Sequence, residues 1–204
     1  MPEASKRRKV EAPLAEQRRQ QILAAAAECF RRSGFHGASM ADIARSFGMS
    51  AGHIYNYFRS KEDIIAAIVE RDLAEFVHAS EAIRSERDIR AAMVERAELG
   101  VNGRLDAGEA GLAIEVAAEG MRNERVRTLM RAADDVARSH LRGMLIACGE
   151  PGRPLPDLEA RVDVLMALFE GLMLRSLRNP DIDRDAVTRV VRQAVHCLIQ
   201  GENE

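Results

Sequence analysis

Both tyrosines of the chain, Tyr55 and Tyr57, fall in the short run from Ser50 to Phe58 that also holds His53 and Asn56. Hydroxyl, imidazole and carboxamide groups at this spacing can donate to and accept from the edges of base pairs and from phosphate oxygens. Between them the outward positions Ala51 and Gly52 are small, so a helix carrying this face could enter a major groove about 12 Å wide. Lys61 follows closely and offers a cation for a phosphate. Other chemistry finds no comparable constellation. Ser139-His140 is a dipeptide without a third member, and no G-x-S-x-G, P-loop or H-E-x-x-H occurs. His36, His78, His140 and His196 share no metal-ligand spacing. Glu115 with Glu119, and Asp134-Asp135 with His140, could supply carboxylates, yet neither helix carries a Glu-x-x-His, and salt bridges to the many arginines account for them. No catalytic residue, metal or cofactor is expected.

The charge distribution agrees with one end of the chain approaching phosphate. The 204 residues carry a net charge of −2. Residues 1–61 hold eleven Lys and Arg against five Asp and Glu, or +6, and the remainder is −8. A basic head on an acidic body suits a nucleic-acid or anionic-lipid partner at the head. No apolar run approaches the roughly 20 residues of a membrane span, and MPEASKRRKV lacks the apolar core of a secretory signal. Cys29, Cys148 and Cys197 are odd in number and widely spaced, which excludes a disulfide framework and fits reduced, mostly buried thiols in a cytoplasmic protein.

The elements that must position Ser50–Phe58 are helices. Apolar residues recur at three- and four-residue steps almost throughout, so the chain is expected to be all-α, with about nine helices. The first runs from after Pro13 to Arg32, with Ile22, Leu23, Ala26 and Phe30 on one face and Ser33-Gly34 as its stop. Ser39 opens the second in a capping box with Asp42, and Gly48 closes it, Ala44 and Gly48 being small enough for helices two and three to approach. Met49 and Ile54 can staple the start of the third, whose inner face is Ile54 and Phe58. Ser60 caps the fourth, which carries Ile64, Ile65, Ile68 and Leu73 towards Ala82. Further helices are expected over Ser85–Val101, Glu109–Glu119, Asn123–Cys148, Asp157–Arg178 and Asp183–Gln200, with GEPGRPLP as the clearest loop. Three short helices with a glycine turn between the second and third form a helix-turn-helix plan. Lys61, at the first position of helix four, is disfavoured there by the helix dipole, a cost that a bound phosphate would offset. The basic tail Lys6-Arg-Arg-Lys9 could reach the minor groove, as the arms of some helix-turn-helix proteins do, or remain solvated.

The segment SMADIARSFGMSAGHIYNYFRSKE, residues 39–62, resembles the signature of the tetracycline-repressor (TetR) family. Agreement lies at Ile43-Ala44, Gly48-Met49-Ser50, Gly52, Ile54-Tyr55, Phe58 and Ser60-Lys61-Glu62, and the likeness covers residues 15–75. The family usually has Thr or Val where Ser39 and Met40 stand. The resemblance implies a homodimeric, all-α repressor: residues 1–60 would be the basic arm and three-helix DNA-binding domain, and 61–204 a helical effector-binding and dimerisation domain joined by the helix from Ser60. Carried over by position, Ser39, Ser50, Ala51, Gly52 and His53 would face base edges or flanking phosphates. Tyr55 would contact a phosphate through its hydroxyl, Asn56 and Tyr57 would lie along the groove, and Lys61 would bind phosphate. The partner is double-stranded operator DNA.

An effector pocket would draw on the only aromatics beyond Phe58, Phe76 and Phe169, and on the central methionines Met93, Met144, Met166 and Met173, with Glu115 and His140 as polar groups. Two rings cannot stack large planar drugs, which points to an aliphatic or small polar effector. The methionines also suit plain core filling. The last two helices show apolar residues beyond a single stripe. Leu165, Phe169 and Leu172 on one, and Val187, Val191, Ala194, Val195 and Leu198 on the other, are expected to form an isologous four-helix seam with a second copy. The alternatives to a ligand-released repressor are a constitutive DNA-binding dimer whose C-terminal half only dimerises, and a helical enzyme that borrows a helix-turn-helix.

Overall fold

Three- and four-residue apolar spacing does produce helices, nine of them among the described residues, with no strand. The computed structural model describes residues 3–149 and 155–200, with side chains from Leu14 onward. The side chains of Lys6–Lys9 and residues 150–154 of the GEPGRPLP loop lie outside the described residues. The helices are α1 (Glu3–Gly37), α2 (Met40–Ser46), α3 (Ala51–Ile54), α4 (Lys61–Arg84), α5 (Ile89–Arg104), α6 (Ala107–Gly120), α7 (Glu124–Cys148), α8 (Leu158–Arg178) and α9 (Arg184–Ile199). Two sequence expectations shift. Helix α1 begins at Glu3, so Pro13 does not delimit it. Its end is a kink rather than a stop: Gly34 is non-helical at φ 71°, ψ 164°, and a last turn follows to Gly37. That backbone region is open essentially to glycine alone.

Side-chain caps set most helix starts. Ser39 and Asp42 close a full capping box on α2. Asp88 accepts from Ala91 N–H at the start of α5, and Asp183 from Ala186 N–H at the start of α9, both at 2.9 Å. Asn123 Oδ1 accepts from Arg125 N–H at 3.1 Å before α7. Helix ends are met by cations from other elements, where the partial negative charge of the last carbonyls favours them. Arg184 donates to Leu105 O beyond α5, Arg127 to Gly120 O on α6, Arg90 to Cys148 O on α7, and Arg161 to Leu198 O on α9.

The chain divides into two units. The first comprises residues 1–70 and 115–129, the second 71–114 and 130–204. A boundary at Ser60/Lys61 is therefore too early for the contacts: α4 opens with the buried Ile64, Ile65 and Ile68, and its first turns belong with α1–α3. The first unit's core is Ile22, Leu23, Ala26 and Phe30 of α1 with Ile43, Ala44, Ile54 and Phe58, all essentially without exposure.

In the second unit α5, α8 and α9 surround a core that includes Val101, Leu105, Leu145, Val162 and Ile199. Gly100 permits a close approach of α5 to α8, since a Cβ there would stand 2.7 Å from the Phe169 ring. This core corrects the expected dimer seam. Leu165, Leu172, Val191 and Val195 are buried within the single chain, and Phe169, Val187 and Leu198 pack against the same core. Leu165, Leu172, Val191 and Val195 thus bind α8 and α9 into the chain's own core, while Phe169, Val187, Ala194 and Leu198 are half-buried. The surplus apolar surface lies on other faces of these helices: Val164, Ala167, Leu174 and Leu177 on α8, and Val190 on α9, are exposed.

Candidate nucleic-acid interface

The turn between α2 and α3 depends on Gly48. Gly48 N–H reaches Arg45 O at 3.0 Å and Met49 N–H reaches Ala44 O at 2.9 Å. Gly48 has φ 72°, and a Cβ there would meet nothing within 4 Å. Its requirement is left-handed backbone, not the close helix approach expected from its size. Helix α3 spans only Ala51–Ile54, less than the Ser50–Phe58 helix expected, but the segment stays coiled through two tighter bonds, Asn56 N–H to His53 O and Tyr57 N–H to Ile54 O, and one of α-helical span, Phe58 N–H to Ile54 O. Ile54 and Phe58 anchor it from beneath.

The anchoring turns one polar face outward. Ser50, Ala51, Gly52, His53, Tyr55 and Asn56 are exposed, and Tyr57 is half-buried. His53 and Tyr57, one turn apart, sit with ring centroids 5.8 Å apart, so they form one surface. Tyr55 is 52% exposed, as a phosphate contact needs. Ser50 caps without a side-chain hydrogen bond. Nothing stands within 4 Å of where a Gly52 Cβ would be, so the fold itself does not require glycine there, whereas a partner surface at close range would.

Two residues expected at this face are committed elsewhere. Ser39 Oγ donates to Asp42 Oδ2 at 2.6 Å and accepts from Asp42 N–H at 3.1 Å. The Ser39 hydroxyl and the Ser39 backbone N–H, both donating to Asp42 Oδ2, with Arg45, hold the Asp42 carboxyl below the usual range, and a carboxylate against the hydroxyl disfavours a phosphate. Ser39 is placed as a cap. Lys61 turns away from its own helix start: Nζ donates to Phe35 O at 2.5 Å and Ala38 O at 2.8 Å, and lies 4.5 Å from the Phe35 ring centroid. The expectation that its ammonium bears the cost of a helix N-terminus is therefore corrected. The long stem carries it to carbonyls at the end of α1, where a cation is favoured.

The same α1 terminus accounts for Glu115, expected in an effector pocket. The Gly34 kink takes Phe35 N–H out of the helical ladder, and Glu115 Oε2 accepts it at 2.9 Å. One turn on, Glu119 is buried; its Oε1 accepts from Asn123 Nδ2, and His36 Nε2 stands 3.0 Å from its Oε2 without hydrogen-bond alignment. Both acids thus hold residues 35–36 within the first unit. The 80 positions separating Phe35 from Glu115 leave no local pattern from which to predict the pairing.

The other pocket residues lie in the second unit. Met93 and Met144 are buried in its core, with Phe76, Met166 and Phe169 packed against it; Met173 is half-buried outside that cluster. Cys148 Sγ is 3.5 Å from Met93 Sδ, and burial pushes its thiol pKa up. His140 Nδ1 is 2.8 Å from the buried Ser80 Oγ. The same Ser80 hydroxyl lies 2.7 Å from Val77 O.

Comparison with known proteins places this geometry. The pattern of bacterial regulatory proteins of the tetR family matches residues 22–68, and that of the C-terminal part of BetI-type transcriptional repressors matches residues 101–200. The HTH-type transcriptional regulator UidR of Escherichia coli is 30% identical over 174 residues, covering 82% of this chain and 85% of that one. Among solved structures, Salmonella enterica GusR superposes with a TM-score of 0.70 at 28% identity over 89% of this chain and 94% of its own. The regulator FadR of Bacillus subtilis, in complex with stearoyl-CoA, shares the fold with a TM-score of 0.71 at 22% identity, over 90% and 99% of the two chains. The chain is a helix-turn-helix transcriptional regulator. It belongs to the TetR family of DNA-binding regulators.

Proposed function

We propose that the protein is a repressor that acts as a homodimer in the cytoplasm and is released from its operator by a small-molecule effector. The observation that carries the reading is the exposed polar face of residues 50–57 over the Ile54 and Phe58 anchors. His53, Asn56 and Tyr57 read base edges, Tyr55 and Ser50 bind phosphate, and Ala51 and Gly52 let the backbone come close. A dimer is needed because two such segments must reach half-sites about one helical turn apart or a multiple of it. The exposed Val164, Ala167, Leu174 and Val190 supply its seam, an isologous interface between copies of α8 and α9.

The effector site belongs to the second unit, around Phe76, His140, Met166 and Phe169. Stearoyl-CoA in the FadR structure supports a ligand site in a fold of this kind. With two aromatic rings the site suits an aliphatic or small polar molecule. No helix of the described residues is long and apolar enough to cross a membrane.

The test is selection of duplexes from a random pool by the purified protein, followed by the mass of the complex. The reading predicts a two-fold symmetric consensus and an even number of chains per duplex. An unenriched pool, or one chain per duplex, would contradict it.

A further inference from the structure

Several cations of the first unit have found partners. Arg45 is paired with Asp42 at 2.9 Å, Arg31 with Glu28 at 2.9 Å and Arg125 with Asp63 at 2.6 Å, and Lys61 holds two carbonyls. Arg19 differs from them. Its guanidinium carbon lies 5.1 Å from the centroid of the Phe58 ring, and among the described residues no carboxylate pairs with it. The position is set by helix periodicity. Arg19 lies three and four residues before Ile22 and Leu23, which are fully buried, so it continues the inward stripe of α1 to the rim of the core. Phe58 ends the recognition segment, bonded through its N–H to Ile54 O. An arginine is thus held against the last residue of the recognition segment by an aromatic ring rather than by an acid.

From this we infer that Arg19 is a phosphate contact of the protein–DNA complex at the edge of each half-site, an inference that rests on the DNA-binding reading above. The cation–π contact with Phe58 uses none of the guanidinium's five N–H donors. A planar fork of donors with no competing carboxylate matches two oxygens of one phosphate. The ring contact also lowers the entropy lost on binding, because the side chain is ordered before DNA arrives.

The experiment titrates the selected operator duplex with the wild-type protein, Arg19→Gln, Arg19→Lys and, as a comparison, Tyr55→Phe, across a range of salt. Arg19→Gln should weaken binding equally for all sequences and lower the slope of log affinity against log salt by about 0.9 per protomer. Arg19→Lys should keep the slope and lose affinity, since an ammonium is a point charge without the fork. Duplexes with a single methylphosphonate at successive backbone positions give a second readout. One substitution at each half-site edge should cost the wild type affinity and cost Arg19→Gln nothing further. Equal salt slopes for wild type and Arg19→Gln, with a lowered melting temperature, would assign Arg19 to shielding Phe58 and overturn the inference. If every methylphosphonate costs both proteins alike, the inference also fails. A wild-type protein that selects no duplex overturns the DNA reading itself, and the Arg19 contact with it.

Discussion

Removal of the Lys61 ammonium separates two opposite accounts of the same residue. By chain position it is the first residue of α4, where a cation opposes the helix dipole by about 0.3–1 kcal/mol, and Lys61→Met should then stabilise the free protein. The structure gives the opposite sign. Nζ makes charged hydrogen bonds to Phe35 O and Ala38 O at 2.5 and 2.8 Å and faces the Phe35 ring. Charge-assisted bonds contribute ~1.5–3 kcal/mol each when well shielded, but Lys61 is only half-buried and water screens part of this. Even at about 1–2 kcal/mol in total after that discount, they outweigh the dipole cost. Methionine keeps the apolar stem and removes only the charge and its donors. The melting temperature without DNA should fall by roughly 2–8 °C for a chain of this size, while Lys61→Arg stays near the parent. A rise in melting temperature for Lys61→Met would refute the argument. The DNA salt slope should change less for this variant than for Arg19→Gln, because the Lys61 ammonium is held at carbonyls of the chain itself.

Tyr55→Phe should leave the melting temperature unchanged and weaken operator binding, and His53→Ala should alter preference at one base pair per half-site by about 1–3 kcal/mol; competition titrations against single-base operator variants check both. Val190→Glu should give folded monomers by light scattering, whereas Val191→Glu places an unpaired charge in the second core and should lower the melting temperature severely or prevent folding. Gly34→Ala forces a side chain onto φ 71°, ψ 164° with Glu115 Oε2 3.4 Å from the new Cβ, and should cost about 1–3 kcal/mol in thermal or urea unfolding.

Local chemistry was readable in the sequence wherever it is local in the structure. The Ser39–Asp42 box, the Ser60 cap and the inner pair Ile54 and Phe58 each depend on residues within a few positions of one another. The outward face of 50–57 follows from the same periodicity. What the sequence did not disclose depends on contacts between distant segments. Lys61 turns to the end of α1, 23 and 26 positions back, and Glu115 serves Phe35 from 80 positions away. The apolar stripes of α8 and α9 were legible as stripes. Which stripe packs inward depended on α5, and its placement reassigns Leu165, Leu172, Val191 and Val195 from a partner's surface to the chain's own core.

The central claim, that residues 50–57 read DNA sequence, is tested most directly by repeating the duplex selection with a His53→Ala, Asn56→Ala double variant. The account predicts that the variant still enriches a two-fold symmetric consensus with the same half-site spacing, because Tyr55 and the backbone contacts remain. Its preferred bases should relax symmetrically at one or two positions in each half-site. A consensus identical to the wild type's would contradict the claim, since the sequence would then be read by some other part of the chain.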